Sequence, residues 1–329
     1  MPNPGNSGAP FDLVSHGRRG PGRRDHLSPA QLEQIARTVR RTPEVMVKVL
    51  STGATRVGHV KKHVDYIGRE GELDLQTDDG EKLRGDAASE LLEDWNLDVE
   101  ENRQHSDLRS TNRREPPRLV HKLIFSMPAG TPPSKVLTAT QSFCREEFAL
   151  KHRYVMALHT DEPHPHVHVV VKAMSEQGKR LNIRKPLLRE WRQKFAMQLR
   201  AIGVEANATD RFIRGVTTPQ KRDPIYRAAR RGESRHWRGR MDAVARELSA
   251  GKLHVEPAKS QLMQTRTAME NGWLAVGDLL LAQGHRQLAA HVQRFVDQLP
   301  SPRTEKEWLA HQLHNRLTRL KSLEQEMSR

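Results

Sequence analysis

The chain has 329 residues, with 55 Lys and Arg against 40 Asp and Glu, a net charge of +15 and a pI near 10.3. That length leaves room for one domain of about 150 to 200 residues and a second small unit, and the basic balance implies a polyanionic partner, of which nucleic acid is the usual one. A single cysteine, Cys144, excludes an intramolecular disulfide framework and fits a reducing compartment, while the lack of a run of about 18 apolar residues, and of an apolar segment after the N-terminal charges, predicts neither a membrane span nor a secretory signal.

Residues 1–27 are rich in Gly, Pro, Ser and Arg and lack apolar periodicity, which predicts a disordered basic tail. Ser28 followed by Pro29 reads as a helix N-cap, opening a helix through about Arg41. Val45 to Leu50 is a strand candidate. From Thr55 to Arg69, Val57, Val60, Val64 and Ile67 recur at helical spacing, with Tyr66 near the C-terminal end.

The composition then shifts. Between Glu70 and Asp107 there are 14 acidic residues against Lys82, Arg84 and Arg103. A solvated surface of loops and helix, including a helix over Asp86 to Trp95, accounts for this stretch without a functional role. Leu119 to Met127 predicts a buried strand, the turn residues after it a break, and Ser134 to Leu150 a helix.

Tyr154 to Met174 reads as two short strands joined by a Pro-containing turn. Side chains alternate along a strand, so His166 and His168 face one way and Val167 and Val169 the other. In an antiparallel hairpin His159 returns beside them, and three neutral imidazoles converge as a divalent-metal site. His164, in the turn, is a fourth candidate and leaves the third ligand open between His159 and His164.

A helix over Lys185 to Ile202 ends at Gly203. Between Val204 and Arg240 ten Arg or Lys stand against four acids, interleaved with Phe212, Tyr226 and Trp237. Such a mixture can track phosphates and stack bases, with Arg211, Arg214, Lys221, Arg222, Tyr226 and Arg227 as candidate DNA contacts. From Met241 on the pattern is helical, with breaks expected at Gly272-Trp273 and at Leu299 to Pro302, and a last helix over Glu305 to Met327. The expected fold is α+β, an antiparallel sheet flanked by helices, with domains at 28–215 and, as a basic helical region, 216–329.

A metal held by imidazoles in a basic protein suits a phosphodiester substrate. No H-E-x-x-H motif and no deaminase zinc motif occurs, which argues against metalloproteases and deaminases. A tyrosine could attack instead, since the ester conserves the phosphodiester energy for rejoining. Of Tyr66, Tyr154 and Tyr226, Tyr154 opens a strand, Tyr226 lies among arginines and Tyr66 follows a basic, His-containing helix, which makes it the best placed.

The order of Tyr66 in HVDYIGREG, Ser126 in HKLIFSMPAG, and His159, Asp161, His166 and His168 in HTDEPHPHVHVVV resembles motifs I to III of the conjugative relaxases. These are nucleases of the HUH superfamily, and the likeness is to the MOBP group of mobilisation nucleases, which includes the IncP plasmid relaxase and the T-DNA border endonuclease. It covers about Val45 to Ile213. The resemblance implies an HUH-type sheet and a metal-dependent enzyme that nicks one strand at an origin of transfer. Tyr66 would form a 5′-phosphotyrosine, His159, His166 and His168 would hold Mg²⁺ or Mn²⁺, Asp161 would orient a histidine, and Ser126 would contact DNA near the nick. It also implies accessory DNA-binding proteins, a type IV secretion coupling protein, and a bacterial cytoplasmic location with translocation alongside the DNA as an extension. Two other readings stand beside it: a rolling-circle replication or transposition initiator, in which the tyrosine commonly lies after the histidine motif, and a non-catalytic DNA-binding accessory protein.

Overall fold

A computed structural model describes residues 26–50, 55–85, 87–111, 116–216 and 234–327. They fall into two compact units, one of Arg41–Ala208 and one drawn from Met1–Arg40 with Thr209–Arg329. The basic tail expected over 1–27 lies almost wholly outside the described residues.

The first unit is built on a six-stranded antiparallel sheet in the order β1-β4-β6-β5-β2-β3. Its strands are β1 Met46–Leu50, β2 Leu75–Thr77, β3 Lys82–Leu83, β4 Val120–Ser126, β5 Tyr154–His159 and β6 His166–Lys172. The α+β architecture is as expected. Alternation along the central strands splits the apolar side chains between two faces. On one, Leu123, Phe125, Met156, Val167 and Val169 pack with Phe143 and Phe148 of α5 (Pro133–Phe148) and Trp191 and Phe195 of α6 (Lys185–Ala201). Phe125 sits 4.8 Å from Phe143 and 5.1 Å from Phe195 between ring centroids. On the other, Val120, Val155, Ala157 and Val170 are covered by Val60, Val64 and Ile67 of α2 (Val57–Ile67) and by Leu91 and Leu92 of α3 (Ala87–Asp94).

The acidic stretch proves to be more than a solvated surface. It supplies β2 and β3, which extend the sheet beyond β5, and then α3 and α4 (Leu97–Thr111). Most of its described charges lie at the surface, whereas Leu75, Leu91, Leu92, Trp95 and Leu97 join the core beneath α2. At Gly71 (φ +95°) an added Cβ would lie 2.7 Å from the Gly85 Cα, so glycine is needed for the two ends of the β2–β3 excursion to meet.

The second unit is helical. In α1 (Pro29–Val39) the Ser28 hydroxyl accepts the Gln31 N–H while the Gln31 side chain accepts the Ser28 N–H, a capping box as the sequence signalled. Leu27, Ile35 and Ile213 share a core with Met269, Trp273 and Val276 of α8 (Ala258–Ala282) and with Val292 and Phe295 of α9 (Arg286–Asp297). That core is why α1 groups with the C-terminal helices rather than with the sheet, and why the units divide differently from 28–215 and 216–329. The break expected at Gly272-Trp273 is absent. Both residues are buried inside α8, and the Trp273 indole donates to the Ile213 carbonyl at 2.8 Å, so packing outweighs the roughly 1 kcal/mol helix cost of glycine. Two further helices complete the unit, α7 (Arg235–Ser249) and α10 (Glu305–Met327), whose Trp237 and Trp308 rings lie 6.0 Å apart. No helix among the described residues is long and apolar enough to cross a membrane.

Candidate active site

The β5–β6 register places His159 opposite His166, and His168 opposite Ala157. All three imidazoles therefore project from the face covered by α2, and one ligand atom from each lies within 4.8 Å of the others. His159 and His168 are buried. Burial lowers the His168 pKa to about 3, helped by the neighbouring His159, His166 and His63, and burial also lowers that of His159. Burial thus favours the neutral form of His159 and His168.

Hydrogen bonds fix which ring nitrogens keep a lone pair. A carbonyl only accepts, so the 2.8 Å contact from His159 Nε2 to the Ile67 carbonyl makes Nε2 the protonated nitrogen and leaves Nδ1 for a ligand. His166 Nδ1 donates to the His164 carbonyl at 3.0 Å, leaving its Nε2. His168 Nδ1 is buried without a partner, an orphaned polar atom. Three such donors suit a divalent cation. His164 itself is exposed and accepts the Ala129 N–H through its Nδ1 at 3.0 Å, which places it outside the converging set.

Tyr66 stands on the last turn of α2, 48% exposed, its ring 6.2 Å from those of both His159 and His168. His63, one turn earlier, stacks along it at 6.1 Å and meets His168 edge-on at 6.0 Å. Burial, then Lys122 and His159, bring the His63 pKa down to about 4. The Arg69 guanidinium carbon lies 5.7 Å from the Tyr66 ring centre, a cation–π geometry, and Arg69 Nη2 pairs with Asp161 at 2.5 Å. Arg69 and Glu70 are both left-handed (φ 52° and 54°), which for non-glycine residues costs of order 1 kcal/mol each.

Asp161 does not hold a histidine by hydrogen bond. Its nearer oxygen is 4.0 Å from His159 Nδ1, and although partial desolvation pulls the other way, the Arg69 hydrogen bond keeps its carboxyl below the ordinary range. The main-chain carbonyl of Ile67 does the orienting expected of Asp161. Ser126 shares the face, in register with His166, and is buried, its hydroxyl donating to the Met127 carbonyl at 3.4 Å. Tyr154, the second tyrosine considered, is buried in the opposite core, where burial lifts its hydroxyl beyond the normal range. Arg211 and Arg214 belong to the helical unit, while Lys221, Arg222, Tyr226 and Arg227 lie outside the described residues.

Sequence reasoning overlooked His63, Arg69 and Lys122. His63 and Arg69 each lie three positions from Tyr66, a spacing that groups residues along a helix face and just past its end. Lys122 is a buried charge inside a mostly apolar strand.

The site thus sets a half-exposed tyrosine beside a three-histidine cluster on an antiparallel sheet. Residues 66–202 match the family model described as "Relaxase: MobA/VirD2-like, nuclease domain". The chain is 27% identical over 209 residues to the T-DNA border endonuclease VirD2 of Agrobacterium fabrum, covering 59% of this chain and 46% of that protein. It is 28% identical over 187 residues to VirD2 of Rhizobium radiobacter, covering 53% and 43%. The chain thus spans less than half the length of these relatives.

Proposed function

We propose that the protein is a DNA relaxase that nicks one strand at an origin of transfer and rejoins it, in conjugative or mobile-element transfer. The observation that carries this is the placement of Tyr66 beside both His159 and His168, within a stretch that matches the relaxase nuclease family. The similarity to VirD2, a T-DNA border endonuclease, supports the same reaction class.

In this reading the Tyr66 oxygen attacks the scissile phosphorus. A new P–O(Tyr) bond forms as the P–O3′ bond breaks, the phenol proton passes to solvent, and the departing 3′ oxygen takes up a proton. The strand is left with a free 3′-hydroxyl and a 5′-phosphotyrosine, and the reverse reaction rejoins it. His159, His166 and His168 would hold Mg²⁺ or Mn²⁺, whose charge draws electron density off a non-bridging phosphate oxygen. Arg69 and His63 both lie against the Tyr66 ring. Asp161 restrains Arg69, and Ser126 borders the strand near the nick. Arg211, Arg214 and the basic segment containing Lys221, Arg222, Tyr226 and Arg227 would contact DNA outside the scissile site.

The partners that go with this reading are an extruded single strand, accessory DNA-binding proteins and a type IV secretion coupling protein, in the bacterial cytoplasm. The test is incubation with Mg²⁺ or Mn²⁺ and labelled single-stranded oligonucleotides bearing the cognate origin. A protein-linked product that is lost on chelation supports the reading. Cleavage that survives chelation removes the metal role of the three histidines, and DNA binding without any adduct favours the accessory-protein alternative.

A further inference from the structure

Lys122 lies on β4 two positions from Ile124, the residue in register with His168, and so shares the sheet face of the three histidines. It is only 5% exposed. Among the described residues its ammonium makes no hydrogen bond and no ion pair. Burial pulls its pKa down, and its charge is one of the causes that keep His63 neutral. The stem of Lys122 is buried while its ammonium keeps access to solvent, which leaves the charge available to a ligand of opposite sign.

A second lysine lies beside it. Lys48 on β1 is in register with Ile124, and Leu50 with Lys122, which makes Lys48 and Lys122 diagonal neighbours on one face. Lys48 is exposed. His168, Ile124 and Lys48 form one row across β6, β4 and β1. Lys48 is therefore two strand spacings, about 10 Å, from the histidine centre.

We infer that Lys122 and Lys48 form a phosphate track on the nicking face, binding backbone phosphates of the single strand that neighbour the scissile one on the β1 side. This rests on the relaxase reading and adds the direction in which the strand leaves the centre.

The test measures binding of a fluorescein-labelled thymidine homopolymer by the full chain carrying Tyr66→Phe, which prevents cleavage, across a salt titration. Adding Lys122→Met, neutral and of similar length, is expected to weaken binding severalfold at low salt. It should also reduce the slope of log K against log salt by about 0.7, the value for one lost phosphate contact on a single strand. Thermal stability should hold or rise, because a buried charge has been removed. Lys48→Gln, at an exposed position, should lower the slope by the same amount and decides the matter if Lys122→Met does not fold. An unchanged slope in the folded variants overturns the track while leaving the relaxase reading intact if the Tyr66→Phe chain binds the homopolymer and the unsubstituted chain forms an adduct on an origin oligonucleotide. A parent chain that binds no single strand overturns both.

Discussion

His159 is tied to the residue that follows Tyr66: its Nε2–H donates to the Ile67 carbonyl at 2.8 Å. One hydrogen bond thus orients a metal-ligand candidate and anchors the end of the helix that presents the tyrosine. The last-turn carbonyls of a helix have no intrahelical donor, so this bond also satisfies a group that would otherwise need water. Histidine-detected ¹⁵N NMR should find His159 as the Nε2–H tautomer and His166 as Nδ1–H. The opposite tautomer at His159 would break the link between helix and triad.

Arg69 couples the same helix end to the hairpin. Its side chain is 34% exposed and that of Asp161 54%, so solvent screening leaves their ion pair worth no more than about 1 kcal/mol. Arg69→Gln should therefore change the denaturant midpoint little. Adduct formation should fall about tenfold or more, because the Tyr66 ring loses one of the two groups that lie against it. Equal small losses in stability and rate would make Arg69 an ordinary surface cation.

Trp95 belongs to the acidic stretch yet is fully buried under α2. Trp95→Ala should cost about 3–5 kcal/mol in urea unfolding, the range for emptying a large core site. A loss under about 1 kcal/mol would return the segment to the status of a solvated appendage.

His121, on the opposite face from the triad, is buried with Nε2 donating to the Leu181 carbonyl at 3.0 Å. Burial lowers its pKa from 6.5 to about 4, against that hydrogen bond and with Arg118, Arg180 and His152 adding to the fall. Below pH 6.5 the unfolded chain therefore binds the proton first. Stability is complete above that value and declines as pH drops toward 4, by about 3 kcal/mol for this residue. In urea titrations His121→Leu should lose less stability across that window than the parent chain, and identical acid slopes would remove His121 as a contributor.

The sheet's centre was legible because period-2 apolar runs at β4, β5 and β6 are long enough to declare themselves, and the same alternation put His166 and His168 on one face. β2 and β3 were not, since three and two residues carry no pattern. α1 was recognised as a helix, but its partner was hidden: Ile35 meets Trp273 and Phe295 only after the chain returns from far along the sequence. At the site, residue types announced the triad and Tyr66, whereas the hold on His159 comes from a main-chain carbonyl that no side-chain motif encodes. The pairing of Asp161 with Arg69, 92 positions away in sequence, was likewise not visible in the motif.

The central claim is that Tyr66 attacks DNA beside the His159, His166 and His168 centre. Peptide mass mapping of the nuclease-trimmed protein–DNA adduct, formed with Mn²⁺ on an origin oligonucleotide, locates the linkage directly. A nucleotide on the peptide containing Tyr66, absent from Tyr66→Phe, is the predicted result. A nucleotide on Tyr226 or Tyr154, or an adduct that persists in Tyr66→Phe, would contradict it.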